Sequence, residues 1–172
     1  MLPFAWLRKA LAAGPLIAIV ASGAFQQPIV LAASGTLYVD KNAVNCSNAG
    51  TGTTSQPYCS IGAAASAATA GMTVYVNTGM YYETVNAAHS GVQDGPITFQ
   101  PNPGSSVTIS GQLHGFTVSR QSWVIIAGFN IIGTSSYGIL LSSSTQITVH
   151  GNQVSYAGLP IAGQTAQGLY LT

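Results

Sequence analysis

His114, Arg120 and His150 are the side chains best suited to chemistry in this sequence. An imidazole titrates near neutrality and can pass a proton, and a guanidinium at the end of the strand FTVS can meet an acidic ligand. Each also has a plainer reading: a lone surface histidine without a partner, or a solvated turn arginine. His114 precedes Gly115 at a turn, which favours the plainer reading there. The chain supplies few alternatives. Of 172 residues, four are Lys or Arg, three are Asp or Glu and three are His, and only 4% are charged, against about 25% in an average soluble domain.

Two of the cations stand apart from the rest. Arg8 and Lys9 precede a charge-free run, ALAAGPLIAIVASGAF, that leads to VLAASG. That is the layout of a signal peptide with a small-residue site after Ala32 or Ala33, so residues 1–33 are expected to direct export. An uncleaved anchor is the competing reading, and Gly14-Pro15 weakens it. Past the leader remain Lys41 and Arg120 against Asp40, Glu83 and Asp94. This near-neutral balance offers no basic patch for nucleic acid or an anionic membrane, and no acidic cluster to collect cations. No cofactor is evident.

Cys46 and Cys59 are the only cysteines. In an oxidising compartment a pair closing a loop rich in Gly, Ser, Thr and Asn reads as a disulfide, which stabilises by about 3 kcal/mol for a loop of this size. A metal site would need further ligands, and no His, Asp or Glu lies between them.

The positioning elements follow. TLYVD reads as a strand. SIGAAASAATAG then reads as a helix over residues 60 to 70, with Ser60 as N-cap and Gly71 where a helix-ending residue belongs. TVYV, ITFQ, VTIS, FTVS, VIIAGFNII, GILLS, ITVHGNQVS and GLYLT are short alternating strands bounded by turn formers. VIIAGFNII and ITVHGNQVS share one layout, and Gly151 minus Gly128 is 23 positions. A 23-residue period holding two or three strands is too long for a hairpin and too short for a propeller blade, and it fits one coil of a parallel β-helix. In that arrangement Ile147 and Val149 face the core, Thr148 and His150 face solvent, and Asn130 stacks in register with Gln153. The expected fold is therefore all-β, a parallel β-helix preceded by a short helix.

The stretch YVDKNAVNCSNAGTGTTSQPYCSIGAAASAATAGMTVYVNTGMYYETV, followed by GPITFQPNPGSSVTISG, resembles the N-terminal cap and first coils of secreted right-handed parallel β-helix proteins of the pectate-lyase-like superfamily, including chondroitinase B and alginate lyase-type polysaccharide lyases. The resemblance covers roughly residues 36 to 155. Met72 departs from a common Asp and Met80 from a common Thr, both in cap turns.

What the resemblance implies is a right-handed parallel β-helix with the short helix as its cap, residues 34–71 forming the cap and 72–172 the coils, in an extracellular protein acting on or binding polysaccharide, in the first instance the N-terminal part of a lyase. A lyase must neutralise a uronate carboxylate, remove the C5 proton and protonate the leaving oxygen, and a full-length member would accommodate Ca2+ held by acidic residues. Here the charged residues are scattered, so the active site is expected outside these residues. His114, Arg120 and His150 remain candidate substrate contacts, and Tyr81, Tyr82 and Tyr137 candidate sugar-stacking rings. The alternatives are a non-catalytic adhesion or glycan-binding module, and a glycoside hydrolase, which would need two facing carboxylates. GLYLT leaves an incomplete last coil, whose edge is expected to be covered by further coils or by a partner.

Overall fold

The computed structural model describes residues 35–110, 112–158 and 167–172; the expected leader lies outside them. The elements are β1 (Gly35–Val39), α1 (Ile61–Ala67), β2 (Met72–Val76), β3 (Gly79–Tyr81), β4 (Val85–Ala87), β5 (Ile97–Pro101), β6 (Val107–Ser110), β7 (Phe116–Ser119), β8 (Ser122–Ala127), β9 (Asn130–Ile132), β10 (Tyr137–Ser142), β11 (Thr145–His150), β12 (Gln153–Ser155) and β13 (Gln167–Leu171). They form three sheets. The first runs β1-β2-β5-β8-β11, the second β3-β6-β9-β12 and the third β4-β7-β10-β13. All their strand pairs are parallel. From β2 onward the chain visits the first, second and third sheet in turn and then returns to the first, so each pass adds one strand to each sheet.

Alternation within each strand selects what goes inside. Leu37, Val74, Phe99, Ile126 and Val149 stack in register down the first sheet. Tyr81, Ile109, Ile131 and Val154 do so on the second, and Val85, Phe116 and Ile139 on the third. One cluster of buried side chains includes residues from all three sheets. Phe116 of the third sheet packs against Phe99 of the first, with ring centroids 5.9 Å apart, and against Phe129 at 5.1 Å. Like residues stack on like because each pass must bury the same face above the last.

The 23-residue period is real where it was read. Gln153 pairs with Asn130 and Thr145 with Ser122, both 23 positions apart. The backbone repeats more faithfully than the side chains. Left-handed residues recur as Arg120 and Ser143, Trp123 and Gln146, Gly128 and Gly151, and Gly133 and Tyr156, each pair again 23 apart. Gly128 and Gly151, with φ of 77° and 64°, turn the chain from the first sheet to the second; VIIAGFNII and ITVHGNQVS are thus each two strands on different sheets.

That first-to-second turn carries a polar ladder. Asn102 Nδ2 donates to Asn77 Oδ1 at 2.8 Å, and Asn77 Nδ2 donates to Asp40 Oδ2 at 3.0 Å. Two passes beyond Asn102, Asn152 Oδ1 accepts from the Phe129 N–H at 2.9 Å while its Nδ2 donates to the Ile126 carbonyl at 2.8 Å. The amides satisfy backbone that the turn takes out of the sheets. Asn130 and Gln153 pair in register as strand residues, while the hydrogen-bonded amides are these turn residues.

The cap is built on Ser60, whose Oγ accepts from the Ala63 N–H, and on Ile61, Ala64 and Ala65, which are buried where α1 packs on β4, β1 and β2. The helix ends earlier than the sequence suggests. Ala68, fully buried and already extended at ψ 131°, closes it, and Gly71 with φ 82° instead leads into β2. Docking Ala68 in the core ends the helical path before the run of good helix formers is used up. Cys46 and Cys59 form the disulfide, which fits an oxidising compartment. Asn48 inside its loop accepts from the Cys59 and Ser60 N–H groups at 2.9 and 3.1 Å, tying the loop to the helix start. Among the described residues no helix is long and apolar enough to cross a membrane.

Candidate functional site

The three side chains best suited to chemistry fall at three different turns. His114 lies between the second and third sheets ahead of β7, Arg120 between the third and first sheets after β7, and His150 at the end of β11 where the first sheet gives way to the second. Six steps along the chain, through the four-residue strand β7, separate His114 from Arg120, a span of at most about 20 Å. Among the described residues, no group of three or more His, Cys, Asp or Glu is placed to hold a metal ion.

Of the three, His114 is the most elaborately held. Thr84, one pass earlier, donates its hydroxyl to the His114 carbonyl at 2.8 Å and accepts from the His114 N–H at 3.3 Å. The imidazole stacks on Tyr137 with centroids 5.5 Å apart and planes 7° from parallel, and Tyr137 stacks on Tyr170 at 4.4 Å and 5°. The Tyr137 N–H donates to His114 Nδ1 at 3.3 Å. Burial holds the His114 pKa below its ordinary 6.5. A neutral ring accepting at Nδ1 carries its proton on Nε2, which suits it to donate a hydrogen bond to a ligand more than to abstract a proton. The signal for this stack was present in the sequence: 137 minus 114 is 23, the period read from the glycines.

Stacking settles what the tyrosines can offer. Both faces of Tyr137 are covered, by His114 and by Tyr170, so it presents an edge and a hydroxyl in place of a face for a sugar ring. Tyr81 is buried; its hydroxyl donates to the Asn77 carbonyl at 3.0 Å, and burial pushes its pKa up to about 12. Tyr82 is 65% exposed. The Lys41 Nζ stands 5.9 Å from its ring centroid and 5.8 Å from that of Tyr81, and donates to the Met80 carbonyl at 2.7 Å.

Of the remaining charges, Glu83 and Asp40 are occupied by structure. Both Glu83 oxygens accept backbone N–H groups at the start of α1, from Ile61 and Gly62, each at 2.8 Å. Asp40 accepts from Asn42 and Asn77. Asp94 lies in the turn closed by reciprocal Val92 and Gly95 backbone bonds of 3.0 Å. Arg120 is exposed and left-handed at φ 55°, and its N–H donates to the Ser142 carbonyl at 2.9 Å. His150 is exposed, and its carbonyl accepts from Gly128 and Asn152.

The site that emerges is a row of stacked ring edges, His114, Tyr137 and Tyr170, beside the third sheet, whose outward residues include Asn86, Thr117 and Leu140. Its chemistry is hydrogen bonding from neutral groups.

No protein-family model matches the chain. Over 76 residues it is 38% identical to an uncharacterized protein, YwoF, of Bacillus subtilis (strain 168), a match covering 44% of this chain and 16% of that protein. Among solved structures, a rhamnogalacturonan lyase superposes with a TM-score of 0.54 at 18% identity, over 70% of this chain and 37% of that one. A GH136 lacto-N-biosidase from Eubacterium ramulus superposes with a TM-score of 0.57 at 11% identity, over 79% and 30%. At these identities the likeness concerns the fold, and the chain spans about a third of the length of the structures it resembles.

Proposed function

We propose that this chain is part of an exported right-handed parallel β-helix protein, with residues 1–33 as its signal peptide, 34–71 as its cap and 72–172 as coils, and that it handles extracellular polysaccharide. The cyclic order of the three parallel sheets supports the solenoid, and the disulfide supports an oxidising destination. The observation that carries the functional reading is the His114–Tyr137–Tyr170 row: neutral donors and acceptors held rigidly on the sheet wall, as hydroxyl-rich ligands require. The solved structures of similar fold are named as a lyase and a glycosidase, which is compatible with this reading, although fold alone does not specify function.

Within these residues the role is binding. With His114, Arg120 and His150 at separate turns, cleavage by a lyase or hydrolase would draw on residues elsewhere in the whole protein. The test is to incubate the natural secreted protein with polygalacturonate, rhamnogalacturonan and neutral glycans and to follow the products. Unsaturated uronate would identify a lyase, and new reducing ends without unsaturation a hydrolase. Retention on a glycan without turnover would leave a binding module. Neither turnover nor retention would overturn the proposal.

A further inference from the structure

A second surface faces away from the aromatic row. On the outward side of the first sheet Tyr38, Tyr75 and Gln100 stand in one in-register column, and His150 pairs with Ala127. Ala127 follows the Phe99–Ile126 pair by one residue and so continues the column from Gln100. Four passes thus present large side chains, and the pass between Gln100 and His150 presents only a methyl group.

That omission makes a depression of about 340 Å3, lined by Gln100, Asn102, Ser105, His150 and the prolines 101 and 103, with Ala127 and Gly128 as floor. Its volume falls at the low end for small-molecule sites, about 300–1,000 Å3. Gln100 and His150 are two rungs apart, about 9.6 Å at the usual strand spacing. This leaves room for one six-membered sugar ring with a hydrogen-bonding group on either side.

The lining decides the ligand class. No Lys, Arg, Asp or Glu borders the depression, so nothing there would select a carboxylate or phosphate. Asn102 is fixed by its Nδ2 bond to Asn77 and by its backbone, whose N–H donates to the Val76 carbonyl and whose carbonyl accepts from Ser105, both at 2.8 Å. The Gln100 carboxamide and the His150 ring engage no protein partner among the described residues, and the two proline rings add apolar C–H surface. Gly128 keeps the floor open, because a Cβ there would stand 3.2 Å from Pro101 Cδ, and its φ of 77° disfavours a side chain.

We infer that this depression on the first sheet is a subsite for one neutral pyranose ring, with Gln100 and His150 as its hydrogen-bonding jaws. The inference rests on the reading that the protein handles polysaccharide, and places a contact on a different wall from the aromatic row.

The experiment titrates the secreted protein, isotopically labelled, with cellotetraose, xylotetraose, mannotetraose and tetragalacturonate, and maps amide shifts by NMR. Expected are shifts at Gln100, Asn102, Ser105, Gly128 and Gly151 with at least one neutral tetrasaccharide and none there with tetragalacturonate. The double variant Gln100→Ala, His150→Ala should weaken Kd for that sugar at least tenfold. Both replaced groups point outward, and an unchanged thermal midpoint would show that the variant is folded. Shifts confined to the Tyr137 and Tyr170 region, binding of tetragalacturonate in the depression, or a double variant with Kd within twofold would overturn the subsite and leave the polysaccharide reading standing. No shift with any of the four sugars would overturn both.

Discussion

At the scale of single residues, this protein uses its few carboxylates and its turn amides mainly to satisfy backbone. Glu83, Asp40, Asn77, Asn102 and Asn152 all serve turns or the helix start. Arg120 belongs partly to this class, because its left-handed conformation recurs at Ser143 one pass later. A non-glycine residue there costs about 1–2 kcal/mol, part of which glycine loses again to unfolded-chain entropy. Arg120→Gly and Ser143→Gly should therefore each raise the urea midpoint by an equivalent of up to about 1 kcal/mol; a fall in either would contradict the shared-turn account. His114 makes a separate prediction. Its pKa is lower in the folded protein than the ordinary 6.5, so between those values the unfolded chain binds more protons. This contribution is fully present above about pH 6.5 and is lost as pH falls through the folded value. The stability difference between the protein and His114→Gln should grow as pH rises through that window and then level off. Urea midpoints at stepped pH would show it, and a difference independent of pH would count against the half-buried stack.

At the scale of elements, legibility depended on length. β8 with β9 and β11 with β12 carry enough alternation, and enough glycine at the turn, to betray their 23-residue repeat. β3 (GMY) and β4 (VNA) are three residues each and carry no readable pattern; their positions are fixed by neighbours already in the sheet. The period was hidden elsewhere because the turns vary. Val85 pairs with Phe116, 31 positions on, and Thr108 with Asn130, only 22 on. The amide ladder was written in the sequence as YVD, YVN and QPN, yet unequal spacing concealed it. The helix start was legible through Ser60, whereas the second cap, from Glu83 some twenty residues away, depends on tertiary approach. Glu83→Gln keeps one acceptor oxygen and sets an NH2 against the other backbone N–H. Leaving that donor unsatisfied should cost about 1–3 kcal/mol in urea unfolding, and an unchanged midpoint would mean that Glu83 does not cap α1.

At the scale of the whole molecule, a wall built from stacked passes gives rigidity in exchange for chemical variety. Inside, residues of different sheets meet, as Phe99 and Phe116 do, whereas the outer aromatic side chains stack on those one pass away, as His114 does on Tyr137. That is why His114 meets Tyr137, while His114, Arg120 and His150 do not meet one another. The candidate contacts could be picked from the sequence by type; their separation required the register, and the covering of both faces of Tyr137 required the side-chain packing, since Tyr137 pairs with Gln167 and Tyr170 with Leu140. Engagement of polysaccharide through the neutral groups of this wall is the proposed role. Affinity electrophoresis of the protein, through gels containing soluble neutral and uronate polysaccharides, tests that role. Retarded mobility is expected with at least one polysaccharide, reduced when His114 and Tyr137 are both replaced by Ala in a variant that remains folded. Mobility unchanged by every polysaccharide would contradict it.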